Sequence, residues 1–169
     1  MNTLVLVFVC TGNICRSPMA AGIMKECILD EVKSQGQNLP IKVISAGTHA
    51  LNGYSASELA IEIAAQHGID ISFHRSRQLS EEIVKDADLI LTMEKNHTNF
   101  IRKKWPQINC VNELKNFGHT KEKNNTDMEI MDPIGMSLDV YLDIFNEIKK
   151  EISRVSRTIF SLARENLTR

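Results

Sequence analysis

The stretch Leu4-Val5-Leu6-Val7-Phe8-Val9-Cys10-Thr11-Gly12-Asn13-Ile14-Cys15-Arg16-Ser17-Pro18 decides how this chain folds. Its continuous apolar run, 4–9, is typical of a strand that is covered on both faces of a parallel sheet. A polar turn follows, and Ser17 and Pro18 then predict the N-cap and the first position of a helix. A strand, a tight loop and a helix start together place backbone N–H groups around a site that suits an anion.

Strands and helices alternate along the rest of the chain. Short apolar runs predict further strands at 41–44, 87–93 and 109–111, and periodic apolar positions predict helices between them. Helices are predicted at 18–35, 57–67, from Ser80, at 94–104 and from about Ser137 to the tail. This alternation predicts an α/β fold in three layers, with a four-stranded parallel sheet and helices on both faces.

The chain of 169 residues is expected to form one domain, 1–169. The apolar stripe of the last helix predicts packing on the sheet, whereas the part beyond about Arg157, 157–169, is expected to project as a helical tail or to pair with a partner. The polar run 121–125 predicts a mobile loop.

The bulk composition excludes several classes of function. The net charge is −1, so we expect neither nucleic acid nor membrane partners, and the longest apolar run, 4–10, is too short to span a bilayer. No export signal is recognised, so we expect a cytoplasmic protein with reduced thiols. The spacing of its cysteines, Cys10, Cys15, Cys27 and Cys110, matches no zinc motif, and we expect neither a metal nor a cofactor.

Polar residues follow three of the predicted strands. Cys10 lies just past the first strand, Ser45 just past the second, and a long loop carrying Asp132 follows the fourth. Because ligands of such folds bind beyond the carboxyl ends of the strands, we expect these residues to meet at one edge of the sheet.

The loop residues are suited to phosphate chemistry. We expect Cys10 to be a thiolate at neutral pH, because a helix N-terminus and Arg16 lie beside it. Backbone N–H groups of 11–16 and the Arg16 guanidinium suit the oxygens of a phosphate, and Asn13 tolerates the positive φ of a tight turn. Attack by the thiolate on phosphorus would give a phosphocysteine, with no metal required.

This reaction needs a group that gives and then takes a proton, and Asp132 is the best candidate. Pro133 keeps its backbone extended in a loop. Asp70, Asp86 and Asp88 are less suitable, because they lie at a helix stop or at the start of a strand.

Five segments resemble, in the same order, the low-molecular-weight protein tyrosine phosphatases, over nearly the whole chain to about residue 155. They are Cys10-Thr-Gly-Asn-Ile-Cys-Arg-Ser-Pro, Ser45-Ala-Gly-Thr, His74-Arg-Ser-Arg-Gln-Leu, Asp88-Leu-Ile-Leu-Thr-Met and Asp132-Pro133. The resemblance implies the phosphotyrosine phosphatase I-like fold with its flavodoxin-like winding. It implies that Cys10 is the nucleophile, Arg16 the phosphate-binding arginine and Asp132 the general acid and later base.

The resemblance also implies supporting roles. The phosphate-binding loop comprises Thr11, Gly12, Asn13, Ile14, Cys15 and Arg16. A hydrogen-bond network holds this loop, formed by Asn13, Ser17, Ser45 and His74. Cys15 matches a second loop cysteine that in the family forms a reversible disulfide with the nucleophile. The implied partner is a phosphoprotein, and no oligomeric state is indicated.

Three departures from the family pattern leave the substrate open. Ala21 stands where the family usually has Glu. Tyrosine-specific members often carry aromatic residues where this chain has Ile134-Gly135 and Leu51-Asn52, although Tyr54 is placed to substitute. The sequence after Asp132 resembles a bacterial branch that includes protein-arginine phosphatases.

Ile14 points the other way, because that branch tends to have Thr at this position. We give Ile14 more weight, since it lies in the loop, and the leading hypothesis is a phosphotyrosine phosphatase with phosphoarginine as the alternative. An arsenate reductase coupled to thioredoxin is a weaker hypothesis, because it needs a further cysteine pair. A phosphate-binding module without catalysis is weaker still, because Cys10, Arg16 and Asp132 are all present.

Overall fold

A computed structural model of the chain describes residues 3–119 and 128–167, with side chains through Glu165. The run 121–125, predicted to be mobile, lies outside these residues, and the extent of the domain, 1–169, stays a prediction. The elements in chain order are β1 (Leu4–Cys10), α1 (Arg16–Gln35), β2 (Ile41–Gly47), α2 (Glu58–Gln66), α3 (Glu81–Asp86), β3 (Leu89–Thr92), α4 (Lys95–Lys104), β4 (Val111–Glu113) and α5 (Leu138–Leu167).

The four strands form one parallel sheet in the order β2-β1-β3-β4. The central strand β1 pairs with β2 from Leu4 and Ile41 to Cys10 and Gly47, and its other edge pairs with β3. The order places β2 and β3 on opposite sides of β1, so the second crossover passes over β1, as in the flavodoxin-like winding. The predicted four-stranded parallel sheet is confirmed.

Alternate residues of β1 face two separate cores, as the two-residue period of a strand requires. Leu6 and Phe8 pack in the core that includes residues of α1, α2 and α5. Val7 and Val9 pack in the opposite core with residues of α3 and α4. Helices therefore cover both faces, and the predicted three-layer α/β fold is confirmed.

The last helix is packed along almost its whole described length. Its apolar stripe continues past Arg157, and Ile159, Phe160 and Ala163 are buried in the core shared with α1. Arg164 Nη2 also lies 2.5 Å from Glu31 Oε1 of α1. The prediction that the part beyond Arg157 projects or pairs with a partner is therefore wrong through Ala163, because the stripe covers this chain's own core.

Several predicted boundaries moved by a few residues. The N-cap of α1 is Cys15, and the helix begins at Arg16, so the prediction of Ser17 as the N-cap is wrong; its hydroxyl bonds the Cys10 thiol instead. The predicted strand at 109–111 lies two residues later, at Val111–Glu113. Ser80 does cap α3, since its hydroxyl accepts a hydrogen bond from the N–H of Ile83.

Close backbone approaches bring the site's loops together. A Cβ on Gly47 would lie 2.4 Å from the carbonyl oxygen of Thr11, so only glycine lets the end of β2 pass against the phosphate-binding loop. A Cβ on Gly22 of α1 would lie 2.7 Å from Ile69. Glycine at this position therefore lets α1 pack closely against the segment that leads to His74. None of the helices within 3–119 and 128–167 is long and apolar enough to cross a membrane.

Candidate active site

The Cys10 side chain lies at the carboxyl end of the central strand and against the first turn of α1. Cys10 is buried, and its Sγ accepts a hydrogen bond from the Asn13 N–H at 3.3 Å. The Ser17 hydroxyl lies 3.0 Å from the same sulfur. A strand end, a reversing loop and a helix N-terminus therefore converge on the thiol, as the sequence predicted.

Asn13 holds the shape of the loop with every polar group that it has. Its backbone has φ 55°, the left-handed conformation that asparagine tolerates better than most residues. Its side-chain amide donates to Ser17 Oγ at 2.8 Å and to Ser45 Oγ at 2.9 Å. Its side-chain oxygen accepts from the Arg77 N–H at 2.9 Å, and its carbonyl lies 2.7 Å from His74 Nε2. The residues that the resemblance placed in one network do meet here.

These contacts fix the direction of two hydrogen bonds. Because the Asn13 amide is a donor, the Ser17 oxygen accepts from it and its own proton is available to the Cys10 sulfur. Because a carbonyl can only accept, His74 Nε2 donates to the Asn13 carbonyl. Burial lowers the pKa of His74, which favours the neutral ring. The chain from Asn13 through Ser17 to Cys10 suits a sulfur that carries negative charge.

Arg16 is an almost fully buried cation, with 1% of its side chain exposed. Its Nη1 donates to a Glu94 carboxylate oxygen and, at 2.8 Å, to the Ile130 carbonyl. Its Nη2 lies 2.9 Å from Asp132 Oδ2. The remaining nitrogen, Nε, is buried and has no hydrogen-bond partner among the described residues. Buried N–H groups are nearly always paired, so this free donor marks the place of a ligand.

Among the aspartates considered from the sequence, Asp132 is the one that contacts the loop. Its side chain is 40% exposed, and its Oδ1 accepts the Ile134 N–H at 3.3 Å, so it is held at the mouth of the site and open to solvent. The other acidic candidates lie elsewhere. Asp88 accepts the Val5 N–H near the start of β1, at the amino-terminal ends of the strands and so away from Cys10. Asp70 closes a local turn with Ser72.

The pocket is lined by Cys10, Thr11, Gly12, Ile14, Cys15, Arg16, Asp132 and Ile134. The lining therefore combines polar groups with two aliphatic side chains, Ile14 and Ile134. Leu51 and Tyr54 are 70% and 60% exposed and are not among the lining residues. The structure thus gives no support to Tyr54 as a substitute for an aromatic wall.

The surroundings of Cys15 in this structure do not favour a reactive thiolate. Its sulfur lies 3.3 Å from Ser57 Oγ and 3.2 Å from Tyr141 Oη, and burial raises its pKa. All four cysteines are free thiols, so the disulfide between Cys10 and Cys15 that the resemblance implies stays a prediction. Within 3–119 and 128–167, no group of three or more His, Cys, Asp or Glu side chains could hold a metal ion.

Two site residues that the sequence did not predict, Glu94 and His97, lie beyond the carboxyl end of β3. Their side chains and backbones form a capping box at the start of α4. Glu94 also binds Arg16, and His97 Nε2 lies 2.8 Å from Thr11 Oγ1. One sequence signal could have indicated them: a Glu and, three residues later, a His follow a predicted strand, at the same carboxyl end of the sheet as Cys10.

The burial of His97 makes a prediction about stability at acidic pH. Burial lowers the pKa of His97 to about 4 from an ordinary value of about 6.5. Between those values the unfolded chain binds the proton and the folded chain does not, so stability falls as the pH falls. We expect this group to account for a loss of up to about 3 kcal/mol of unfolding free energy between pH 6.5 and pH 4.

Urea unfolding at a series of pH values measures this loss. His97→Asn retains an acceptor for the Glu94 N–H and should show a shallower decline than the unmodified chain. Asn99→Ala, at an exposed and non-titrating position of the same helix, serves as the matched control and should leave the slope unchanged. An unchanged slope in His97→Asn would contradict the assignment.

The chain is similar in sequence and in fold to known phosphatases. Residues 5–166 match the family model of the low molecular weight phosphotyrosine protein phosphatases. A protein of Klebsiella pneumoniae named as a putative low molecular weight protein-tyrosine-phosphatase is 36% identical over 146 residues, which cover 86% of this chain and 90% of that protein.

A probable low molecular weight protein-tyrosine-phosphatase, EpsP of Ralstonia nicotianae, is 45% identical over 102 residues, 60% of this chain. The matched stretches cover 63% of that protein and 54% of its Ralstonia solanacearum counterpart.

Two solved structures share the fold over most of their length. The arginine phosphatase YwlE of Geobacillus stearothermophilus superposes with a TM-score of 0.80 at 31% identity, over 96% of both chains. A low molecular weight protein tyrosine phosphatase of T. tengcongensis has a TM-score of 0.77 at 34% identity, over 92% of this chain and 99% of that one. The chain therefore belongs to the low molecular weight phosphotyrosine protein phosphatase family.

Proposed function

We propose that this protein hydrolyses phosphotyrosine in phosphoproteins through a phosphocysteine intermediate. The observation that carries the proposal is the Arg16 side chain, which is bound to Asp132 through Nη2 and has a buried, unpaired Nε. Cys10, Arg16 and Asp132 line one pocket. In the proposed mechanism Cys10 is the nucleophile, Arg16 the donor to the phosphate oxygens and Asp132 the proton carrier.

In the first step the Cys10 thiolate attacks phosphorus, and the bond between phosphorus and the phenolic oxygen breaks. Asp132 gives its proton to that leaving oxygen. The N–H groups of the loop and the Arg16 guanidinium stabilise the charge on the non-bridging oxygens. The Ser17 hydroxyl, 3.0 Å from the sulfur, stabilises the thiolate before attack.

In the second step water attacks the phosphocysteine, and the bond between sulfur and phosphorus breaks. Asp132, now a carboxylate, takes the proton of that water, and inorganic phosphate leaves. Cys10 returns to the thiolate, and Asp132 carries the proton needed for the next substrate. One carboxyl group thus serves both steps, and its position at the solvent-exposed mouth gives water access.

The pocket walls favour phosphotyrosine over phosphoarginine. Ile14 and Ile134 are among the lining residues, and their aliphatic surfaces suit the faces of a phenyl ring. A phosphorylated guanidinium carries several N–H donors that need acceptors, and among the described residues that line the pocket Asp132 is the only carboxylate. Phosphoarginine remains the alternative, supported by the similarity to YwlE.

The positions of the remaining cysteines weigh against an arsenate reductase. Cys110 Sγ donates to the carbonyl of Ala87. Both residues lie at the amino-terminal ends of their strands, whereas the site lies beyond the carboxyl ends. We also propose a cytoplasmic location, because the mechanism needs Cys10 as a reduced thiolate.

Two substitutions test the mechanism. Cys10→Ser should abolish hydrolysis of p-nitrophenyl phosphate and still bind inorganic phosphate, because the loop amides and Arg16 remain. Asp132→Asn should lower kcat by about 100-fold or more for phosphotyrosine, which needs a proton on its leaving oxygen. The loss should be smaller for p-nitrophenyl phosphate, whose leaving group needs the proton less. Full activity of Cys10→Ser would refute the mechanism.

The substrate is tested by comparing kcat/KM for a phosphotyrosine peptide and a phosphoarginine peptide of the same sequence. We expect the phosphotyrosine peptide to be preferred. Ile14→Thr should shift the ratio towards phosphoarginine, because it replaces an apolar wall with a hydroxyl. Ile14→Val, which keeps the wall apolar, is the matched control. A preference of the unmodified enzyme for phosphoarginine would replace the leading proposal by the alternative.

A further inference from the structure

The start of α4 contacts both ends of the phosphate-binding loop. Glu94, the N-cap residue, binds Arg16 at the last position of the loop. His97, three residues later, bonds the hydroxyl of Thr11 at the first position after the nucleophile. The same two residues close the capping box of the helix. One helix start is therefore tied to the loop at two points.

The hydrogen bonds of His97 fix which ring nitrogen carries the proton. The backbone N–H of Glu94 donates to Nδ1 at 3.2 Å, and an N–H can only donate, so Nδ1 has a free lone pair. In a neutral ring the proton must then be on Nε2. Nε2 lies 2.8 Å from Thr11 Oγ1, so His97 donates and the Thr11 oxygen accepts.

This direction leaves the proton of the Thr11 hydroxyl without an acceptor in the part of the chain that the structure describes. Within the described residues, the hydrogen bond with His97 is the one that the Thr11 hydroxyl makes. Thr11 also lines the pocket beside Cys10 and Arg16. A hydroxyl that accepts from a buried donor still has its own proton to give, and the pocket is where a bound anion would receive it.

We propose that the Thr11 hydroxyl donates a hydrogen bond to the phosphoryl group of the substrate, and that His97 is the positioning residue that holds it there. This inference rests on the proposed phosphatase function and adds a side-chain donor to the amides and to Arg16. His97 is 2% exposed, and burial lowers its pKa to about 4, so its ring is neutral at working pH. The neutral ring is the form that donates through Nε2 and accepts through Nδ1.

Charged groups near His97 have opposing effects on the protonation of its ring. Glu94 Oε1 lies 3.9 Å from Nε2 and favours a charged ring, as Asp132 also does, whereas Arg16 and His49 oppose it. Glu94 is itself paired with Arg16, which reduces its pull on the ring.

Two substitutions separate the two bonds of His97. His97→Asn places a side-chain oxygen near the position of Nδ1, so it keeps the acceptor for the Glu94 N–H and loses the donor to Thr11. His97→Gln places an amide nitrogen near the position of Nε2, so it keeps that donor and loses the acceptor. Thr11→Val removes the hydroxyl with little change of shape, and Thr11→Ser retains it.

The measurements are the dissociation constant of inorganic phosphate by calorimetry, kcat and KM for p-nitrophenyl phosphate, and the melting temperature. Thr11→Val should weaken phosphate binding by about tenfold, the effect of losing one hydrogen bond to a charged group. Thr11→Ser should restore most of it. His97→Asn should weaken phosphate binding with little loss of melting temperature, and His97→Gln should bind phosphate more tightly than His97→Asn while melting at a lower temperature.

The double variant Thr11→Val/His97→Asn should bind phosphate no more weakly than Thr11→Val alone, because both changes remove one interaction. Additive losses, or unchanged binding in Thr11→Val, would overturn the inference. An unmodified enzyme that hydrolyses no aryl phosphate would instead refute the proposed function, so the two failures are distinguishable.

Discussion

The site depends on the hydrogen bonds of Asn13. A loop that must aim its N–H groups at an anion cannot satisfy them within itself, so another part of the chain has to hold its shape. Asn13 does this from a left-handed conformation, through contacts with Ser17, Ser45, Arg77 and His74. Because those residues belong to α1, β2 and the segment after α2, the loop geometry is fixed by most of the fold rather than by its own sequence.

A second constraint is the burial of the Arg16 charge. An unpaired guanidinium with 1% exposure would cost several kcal/mol in desolvation. Glu94, Asp132 and the Ile130 carbonyl offset this cost, yet they leave Nε free. The arrangement holds Arg16 in place before a substrate arrives, so binding requires little reorganisation. Asp132 is thereby held beside the guanidinium, where the proposed mechanism needs its proton.

The sequence was sufficient for the sheet, the position of Cys10 and the convergence of Asp132 on it, because buried strands and strand ends have strong local patterns. It was not sufficient for Ser17, whose pattern indicates an N-cap, since tertiary contact with the Cys10 sulfur uses its hydroxyl instead. Glu94 and His97 were missed because a capping box looks the same whether or not its side chains also reach a loop 80 or so residues away in sequence. Such contacts depend on the register of β1 against β3.

The central claim is that the phosphoryl group passes through Cys10. Asp132→Asn should allow attack on p-nitrophenyl phosphate but slow the hydrolysis of the intermediate, because water then lacks its base. Rapid acid quenching followed by mass spectrometry of the peptide that contains Cys10 tests this directly. We expect the mass of one phosphoryl group on that peptide, localised to the thiol. Turnover without any phosphate on Cys10, or phosphate localised to another residue, would contradict it.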